Sequence, residues 1–539
     1  MSKSMLIYNG DIWTGEGKAK KADAVLFSSS HIEAVGTYDE VKNHPLASEA
    51  LKLDVEGRTV IPGMYDSHLH LTALSRQLEA LDLSKAKSKE ELYDMLRKKA
   101  SQASPTEWIY GVRFDNSSWE DDSLPTLKEL DELGLPNPVI LERVCTHLHV
   151  VNSRALMEAN FTVSATTKGA LFDSSGNFTG ALVEGAAEPM VQIMGKSLYD
   201  KKNEPKRILR TCQLLASFGL TAINPCSAAS YGLKENIDAL LELKEKDTLP
   251  LRVRLYSDEP HEAMKFLPQN DKWLSYGGRK FFLDGSLGAR TAALTFPYVD
   301  APFTQGILNY SKEEIKHLIV DCHKKGVQTQ THAIGDGALD QLIEAIEAAM
   351  ELKDQPGGVK HRAVHLQICR PDQMNKLAKL GVVGDVQPVF VPSDIKITEN
   401  RIGKERLSWA YAWKSMANAG MLLTASSDAP VEPPNPMRGI WSAVERTDDQ
   451  GFPKGGWLPE EKLTLDEALR MYTVNPSKAS GLEDKIGKIK AKMYPDLVVL
   501  DSRISVLDPD KLKDVKVLLT FVGGRLSFGK LDGWERIPY

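Results

Sequence analysis

The sequence predicts a (β/α)8 barrel that carries a β-sandwich built from both ends of the chain. Three observations predict it. The middle of the chain alternates apolar, β-branched runs with helical patterns, as parallel strands joined by crossover helices do. Both ends read instead as short strands separated by Gly and polar turns. The length, 539 residues, exceeds a bare barrel of ~250 residues but accommodates one with a second domain and an insertion. The expected boundaries are 1–61 and 476–539 for the sandwich and 62–475 for the barrel, with an insertion over about 80–205.

The N-terminal strand candidates are Met5 to Tyr8, Ala24 to Phe27, Ile32 to Val35 and Leu51 to Val55. At the other end, Leu497 to Leu500 and Val515 to Phe521 are apolar runs, and Gly523-Gly524 marks a hairpin into Arg525 to Phe528. For the barrel, the first strand runs from Thr59 to Ile61 into Asp66 to His70. The others are Thr221 to Asn224, Leu251 to Ser257, Lys280 to Leu283, Val327 to Thr331, Ala363 to Leu366, Val382 to Val386 and Leu422 to Ser426. Helical spacing recurs between them, as in Lys312 to Lys325 and Asp340 to Leu352. The gap after the first strand is far longer than a usual barrel loop and holds helices of its own, such as Lys89 to Ala100 and Pro205 to Phe218.

Composition excludes several classes. A hydrophobic content of 42% and a charged content of 26% are ordinary for a globular chain. The net charge of −6 gives no electrostatic reason to expect a nucleic-acid partner. No run approaches the ~20 apolar residues that span a bilayer, and the first residues lack a signal-peptide core. The five cysteines are scattered without CxxC spacing, which fits a reducing, cytoplasmic compartment better than a disulfide framework. No GxSxG elbow exists, so a serine hydrolase is excluded. A small-molecule substrate is the expected partner, and the sequence leaves a homo-oligomer open.

Polar residues that could carry chemistry fall at strand ends, where (β/α)8 barrels keep their active sites. In the run Pro62 to His70, side chains alternate faces, so Asp66, His68 and His70 point the same way. Two imidazoles at i and i+2 can share a metal, and Asp66 is placed to accept a ligand's other ring N–H. Taken alone, the His-x-His is equally two ordinary histidines. His332 ends an apolar strand before the Gly-rich turn Gly335-Asp336-Gly337. His361 and His365 share one strand face but lie ~13 Å apart, too far to share one metal. His365, nearer the active end, is the candidate, and His361 reads as structural. Asp428 follows the last strand directly, where a carboxylate can ligate a metal and act as general base; the bland reading is a helix N-cap. Such nitrogen and oxygen ligands suit zinc best, with iron, manganese and nickel as alternatives. Lys280 shares a face with Phe282 and Asp284. A lysine inside a barrel is costly to bury charged, so it is either paired, with Asp284 the nearest candidate, or chemically modified.

These motifs, in this order, resemble the amidohydrolase superfamily, and within it the YtcJ-like branch that includes N-substituted formamide deformylase. The resemblance covers nearly the whole chain. It rests on PGMYDSHLH (62–70), KFFLDGSLGARTA (280–292), THAIGDGALD (331–340), HRAVHLQ (361–367) and SSDAPVEP (426–433), together with the insertion residues around Arg113, Trp119, Arg143 and Asn152. Val364 departs from the pattern, standing where the branch often has glutamate. The resemblance implies metal ligation by His68, His70, His332, His365 and Asp428, with one or two divalent ions, zinc foremost. It also implies that Lys280 matches a fourth-strand lysine that is carboxylated in related enzymes and bridges two metals. His147 and Arg290 match recurring positions and are expected in the substrate pocket; Trp119 and Phe282 are candidates for its apolar wall, with plain core packing the alternative for either. The expected activity is hydrolysis of a small, non-peptide C–N bond of amide or formamide type, with Asp428 as catalytic proton carrier. A lactonase or esterase on the same fold is the alternative, followed by a non-catalytic scaffold. The insertion is expected to roof the site and to exclude long polymers.

Overall fold

The computed structural model describes residues 4–17, 22–144, 148–198, 203–227, 232–352 and 358–531. The central sheet has eight parallel strands in sequential order. They are Met64–Leu69, Leu220–Ser227, Arg252–Ser257, Leu274–Phe282, Thr329–Ala333, Arg362–His365, Val383–Val386 and Leu422–Ala425, called barrel strands one to eight below. Strands one and eight are the edges of this nearly closed barrel. Hydrogen bonds join them at their C-terminal ends: Asp428 N–H to His68 O at 2.9 Å, His70 N–H to Ala429 O at 2.7 Å, and Ser427, through its N–H at 3.2 Å and its Oγ at 2.6 Å, to the Asp66 carboxylate. Edge groups that would otherwise stay unpaired are thereby satisfied, and the segments bearing His68, His70 and Asp428 are held together.

Two strands differ from the sequence reading. The run before His70 is two strands rather than one. Thr59–Pro62 pairs with Leu497–Leu500 in the sandwich, and Met64–Leu69 starts the barrel. Strand four begins at Leu274, six residues before Lys280. Gly277 and Gly278 hid that beginning, because glycine reads as a strand breaker. The structure needs Gly278: its φ is +158°, and a Cβ there would meet Gln328 O at 2.1 Å.

The crossover helices start where local chemistry favours it. Ser311 and Glu314 form a reciprocal capping box at the head of Lys312–Lys324. The helix after strand five, Asp336–Met350, starts four residues before the apolar periodicity suggested, directly behind Gly335.

The sandwich packs a four-stranded sheet of N-terminal strands on a five-stranded sheet that mixes both termini. The second sheet orders Asp11–Ile12, Thr59–Pro62, Leu497–Leu500, Val517–Val522 and Arg525–Phe528. Met5, Val25, Phe27, Val60, Leu497, Val499 and Phe521 fill the space between the sheets, with the Phe27 and Phe521 rings edge-to-face at 5.2 Å.

Contacts divide the chain into two compact units. One comprises Met1–His70, Leu209–Cys226 and Leu240–Tyr539 and holds barrel and sandwich. The other comprises Leu71–Ile208 and Ser227–Ala239. The second unit contains the segment read as an insertion and has a six-stranded sheet of its own. Apolar clusters cover that sheet, one around Leu92, Leu96, Phe114 and Trp119 and another around Trp108, Ile140, Leu182 and Met190. Its strands are short and interleaved with polar loops, so only its helices stood out in the sequence. No helix among the described residues is long and apolar enough to cross a membrane.

Candidate metal centre

Three ligand atoms converge at the mouth of the barrel. Nε2 of His68 and Nε2 of His70 each lie 3.2 Å from Asp428 Oδ1, and the ligand atoms of this group all fall within 4.8 Å of one another. His332 and His365 stand beside the group. Ring centroids are 5.1 Å apart for His68 and His70, 5.8 Å for His68 and His365, and 4.4 Å for His332 and His365. Lys280 reaches in from strand four, its Nζ 3.2 Å from His68 Nε2. The six residues expected around a metal therefore gather at the active end of strands one, four, five, six and eight.

The backbone is strained at two of them. His365 has φ +79° and Asp428 has φ +57°, a left-handed conformation that β-carbon-bearing residues rarely adopt. His365 is the last residue of its strand and Asp428 lies three residues past the end of its own, and the turn there aims each side chain at the group.

Hydrogen bonds fix which imidazole nitrogen carries the proton. Gln330 Nε2 donates to Ser67 O at 2.9 Å and to Asp385 Oδ2 at 3.2 Å, so its Oε1 faces His68 Nδ1 at 3.2 Å. Gln387 Nε2 donates to Ser426 Oγ at 2.9 Å and Asp385 O at 3.1 Å, which turns its Oε1 to His365 Nδ1 at 2.9 Å. Both rings are thus protonated at Nδ1 and hold a lone pair at Nε2. His332 is oriented the other way, with Nε2 3.2 Å from Gly285 O and 3.3 Å from Asp284 Oδ1, which leaves the lone pair on Nδ1.

Asp66 does not accept a ring N–H. Its carboxylate takes the Ser427 hydroxyl and N–H and the His68 N–H, and so joins the edge strands. The ring acceptors are the two glutamines, which the sequence reading missed. Both carried a signal: Gln330 is two residues before His332 on the same strand face, and Gln387 directly follows strand seven. Replacing Gln330 with leucine is expected to weaken divalent-metal affinity by about 10–100-fold, as loss of a partner holding a ligand does. Competition with a chromophoric chelator measures it, and an unchanged affinity would remove Gln330 from this role.

Lys280 and Asp284 are not an ion pair. Asp284 is spent on the backbone, accepting from Ile334 at 3.0 Å, Gly335 at 2.8 Å and Ala293 at 3.0 Å. This carboxylate shapes the turn after His332. Gly335 suits that turn, since a Cβ there would meet Ala293 O at 1.9 Å. Lys280 is 1% exposed and lies over the Phe282 ring at 4.8 Å. Burial pushes its pKa below the ordinary lysine range.

Electrostatics fit a cation at the group. Burial pushes the Asp428 carboxyl up, but the facing His68 and His70 nitrogens outweigh it and hold it well below the usual range. Burial takes His68 down to about 3, so it is neutral. Burial also acts downward on His70, but Asp428 and Cys226 raise it to about 9. Apart from the His68 and His70 nitrogens at 3.2 Å, which are not aligned for a hydrogen bond, the buried Asp428 Oδ1 has no partner among the described residues. An orphaned carboxylate oxygen between two imidazole nitrogens is a donor set suited to a divalent cation, and the residues present fit one.

The remaining candidates are held by other partners or lie outside the described residues. Arg290 sits on the loop after strand four, where Nε and Nη2 grip Asp300 at 3.1 and 2.9 Å. Trp119 belongs to the core of the second unit. It is 6% exposed, its indole donates to Ala86 O at 2.9 Å, and its ring centroid is 6.1 Å from that of Phe114. That placement leaves little of the ring for a substrate to touch. His147 lies outside the described residues. His361 is structural, as expected, with Nε2 3.0 Å from His323 Nδ1 and Nδ1 2.8 Å from Thr329 Oγ1.

Comparison with known proteins agrees with this architecture. The chain is 29% identical over 536 residues to the putative amidohydrolase YtcJ of Bacillus subtilis (strain 168), covering 97% of this chain and 99% of that protein. It is 28% identical over 553 residues to the N-substituted formamide deformylase of Arthrobacter pascens, covering 98% of each. Among solved structures, a metal-dependent hydrolase from Pyrococcus horikoshii OT3 superposes with a TM-score of 0.79 at 29% identity, over 94% of this chain and 99% of that one. The family match itself runs over residues 53–528, from the N-terminal half of the sandwich through the barrel to the last sandwich strand. With a match of that extent, this chain belongs to the amidohydrolase family and is a hydrolase.

Proposed function

We propose that the chain hydrolyses an amide or formamide type C–N bond, other than a peptide bond, in a small molecule. One or two divalent ions, zinc foremost, would be held by His68, His70, Asp428, His332 and His365. The observation that carries the reading is the buried Asp428 Oδ1 at 3.2 Å from two imidazole nitrogens, neither aligned as a hydrogen-bond donor to it. A divalent ion bound there would polarise the substrate carbonyl and lower the pKa of water to about 7.

The protein's own groups do the rest. Oδ1 of Asp428 faces the imidazoles, which leaves Oδ2 to hold a proton. The group is a carboxylate, able to accept the proton that the attacking water loses. As the C–N bond breaks, the same oxygen returns the proton to the leaving nitrogen, and the products are a carboxylic acid and an amine. The Gln330 and Gln387 amides hold two imidazoles in one tautomer through the cycle. Arg290 and His147 are retained as substrate-pocket groups on the strength of the family resemblance.

A panel of N-substituted formamides, amides, lactones, esters and dipeptides, assayed with metal-supplied enzyme, tests the bond assignment. The expected result is a kcat/KM highest for formamides and amides. Turnover confined to lactones and esters would keep the chemistry but overturn the C–N assignment. Efficient cleavage of dipeptides would overturn the non-peptide assignment.

Lys280 is proposed to carry a carboxylate on Nζ, formed when the neutral amine adds to carbon dioxide and releases a proton. Its burial and lowered pKa support this, as does the lack of a carboxylate within ion-pair distance among the described residues. Labelled bicarbonate should give one carbamate carbon signal in metal-supplied protein, absent in Lys280→Met. Wild-type protein without that signal would contradict the modification.

A further inference from the structure

The barrel has a cavity at the end opposite the histidines. Its volume is about 240 Å3. Its walls come from the first halves of barrel strands one to four, at Tyr65, Ala222, Arg254 and Ser275, and from the chain that leaves the barrel between Ser480 and Tyr494. None of the six residues gathered around the candidate metal centre lines it.

The charges on this wall do not balance. Arg252 is committed, gripping Asp496 with Nε and Nη2 at 2.7 and 2.8 Å. Asp271, the acid among the lining residues, is committed to Lys244 at 2.6 Å. Three cations remain. Lys272 and Lys485 are exposed and have no carboxylate within 4 Å among the described residues. Arg254 is partly buried, and its Nε is sealed from solvent without a hydrogen-bond partner. A guanidinium nitrogen left in that state is costly unless an acceptor reaches it. Folding has nonetheless placed the residue on a cavity wall, with no carboxylate paired to it among the described residues. Neutral hydrogen-bonding groups complete the wall. Tyr65 donates to Asn224 Oδ1 at 2.6 Å and stands 3.3 Å from Ser480 Oγ, a buried hydroxyl.

We propose that this cavity is a second binding site, for a small oxyanion of the carboxylate or phosphate class, with Arg254 as its principal anchor and Lys272 and Lys485 at its rim. A planar guanidinium fork matches two oxygens of either group. The volume is below the ~300 Å3 at which sites for larger organic ligands begin, so the ligand is a small anion rather than a nucleotide cofactor.

Calorimetric titration of the metal-supplied protein tests this, with sodium acetate and inorganic phosphate in separate arms at constant ionic strength. Saturable binding is expected in at least one arm, and the stronger arm assigns the ligand class. Arg254→Gln should weaken binding about tenfold or more, the loss expected for a charged hydrogen bond. His70→Ala, which disturbs the metal group instead, should leave it within about twofold. Lys485→Gln alters an exposed side chain and should weaken binding more mildly, which keeps the test usable if Arg254→Gln fails to fold. The proposal is overturned if neither anion binds. It is also overturned if Arg254→Gln and Lys485→Gln bind as wild type does, or if His70→Ala abolishes binding that Arg254→Gln leaves intact.

Discussion

Replacing Asp428 with asparagine is expected to lower kcat by about 10³-fold, within the ~10²–10⁴ range for loss of a positioned proton carrier. The asparagine keeps an oxygen at the position of Oδ1, between His68 and His70, so bound metal should be retained. What is lost is the ability to take a proton from water and return it to the leaving nitrogen. Steady-state kinetics on the best substrate of the panel, paired with metal analysis of the same sample, reads both quantities. A variant that keeps its metal and stays within tenfold of wild type would remove Asp428 from proton transfer. A variant that loses both metal and activity would make its role ligation alone.

The second large effect lies deeper in the barrel. Arg362 and Asp385 form a fully buried pair, with Nε to Oδ2 at 2.8 Å and Nη2 to Oδ1 at 2.7 Å. Thr424 also donates to Asp385 Oδ1, and Gln330 donates to Oδ2. Arg362→Met is expected to destabilise the protein by about 3–5 kcal/mol, because it leaves a carboxylate buried and largely uncompensated. The double variant Arg362→Met with Asp385→Leu should recover much of that loss, since replacing both charges removes the orphan. Denaturant midpoints of the three proteins check the sign. A single variant as stable as wild type, or a double variant less stable than the single one, would contradict this account. Asp385 is also a link to the site, because it helps orient the Gln330 amide that faces His68.

The link explains what could be read in the sequence. Barrel periodicity and histidines at strand ends are local signals, and His68, His70, His332, His365 and Asp428 all announced themselves that way. The sandwich was legible because its strands are short apolar runs next to turn residues. The two glutamines were not legible, since a glutamine at a strand end has many uses and only the partner strand selects one. Asp66 shows the converse. Its spacing from His68 pointed to a ring N–H, but a neighbour 361 positions along the chain, Ser427, claimed the carboxylate. The sheet of the second unit escaped notice because its strands are short and set among polar loops, and Trp119, open in the sequence to either a pocket wall or core packing, packs in a cluster with Leu92, Leu96 and Phe114. For the glutamines, Asp66 and Trp119 the missing information is a tertiary contact.

Anomalous diffraction from crystals grown with zinc tests the central claim most directly. The account predicts a peak at the barrel mouth about 2.0–2.2 Å from His68 Nε2, His70 Nε2 and an Asp428 oxygen, with His332 and His365 around the same peak or a second one close by. A metal-supplied crystal with no peak there, or with the metal bound away from these three atoms, would contradict it.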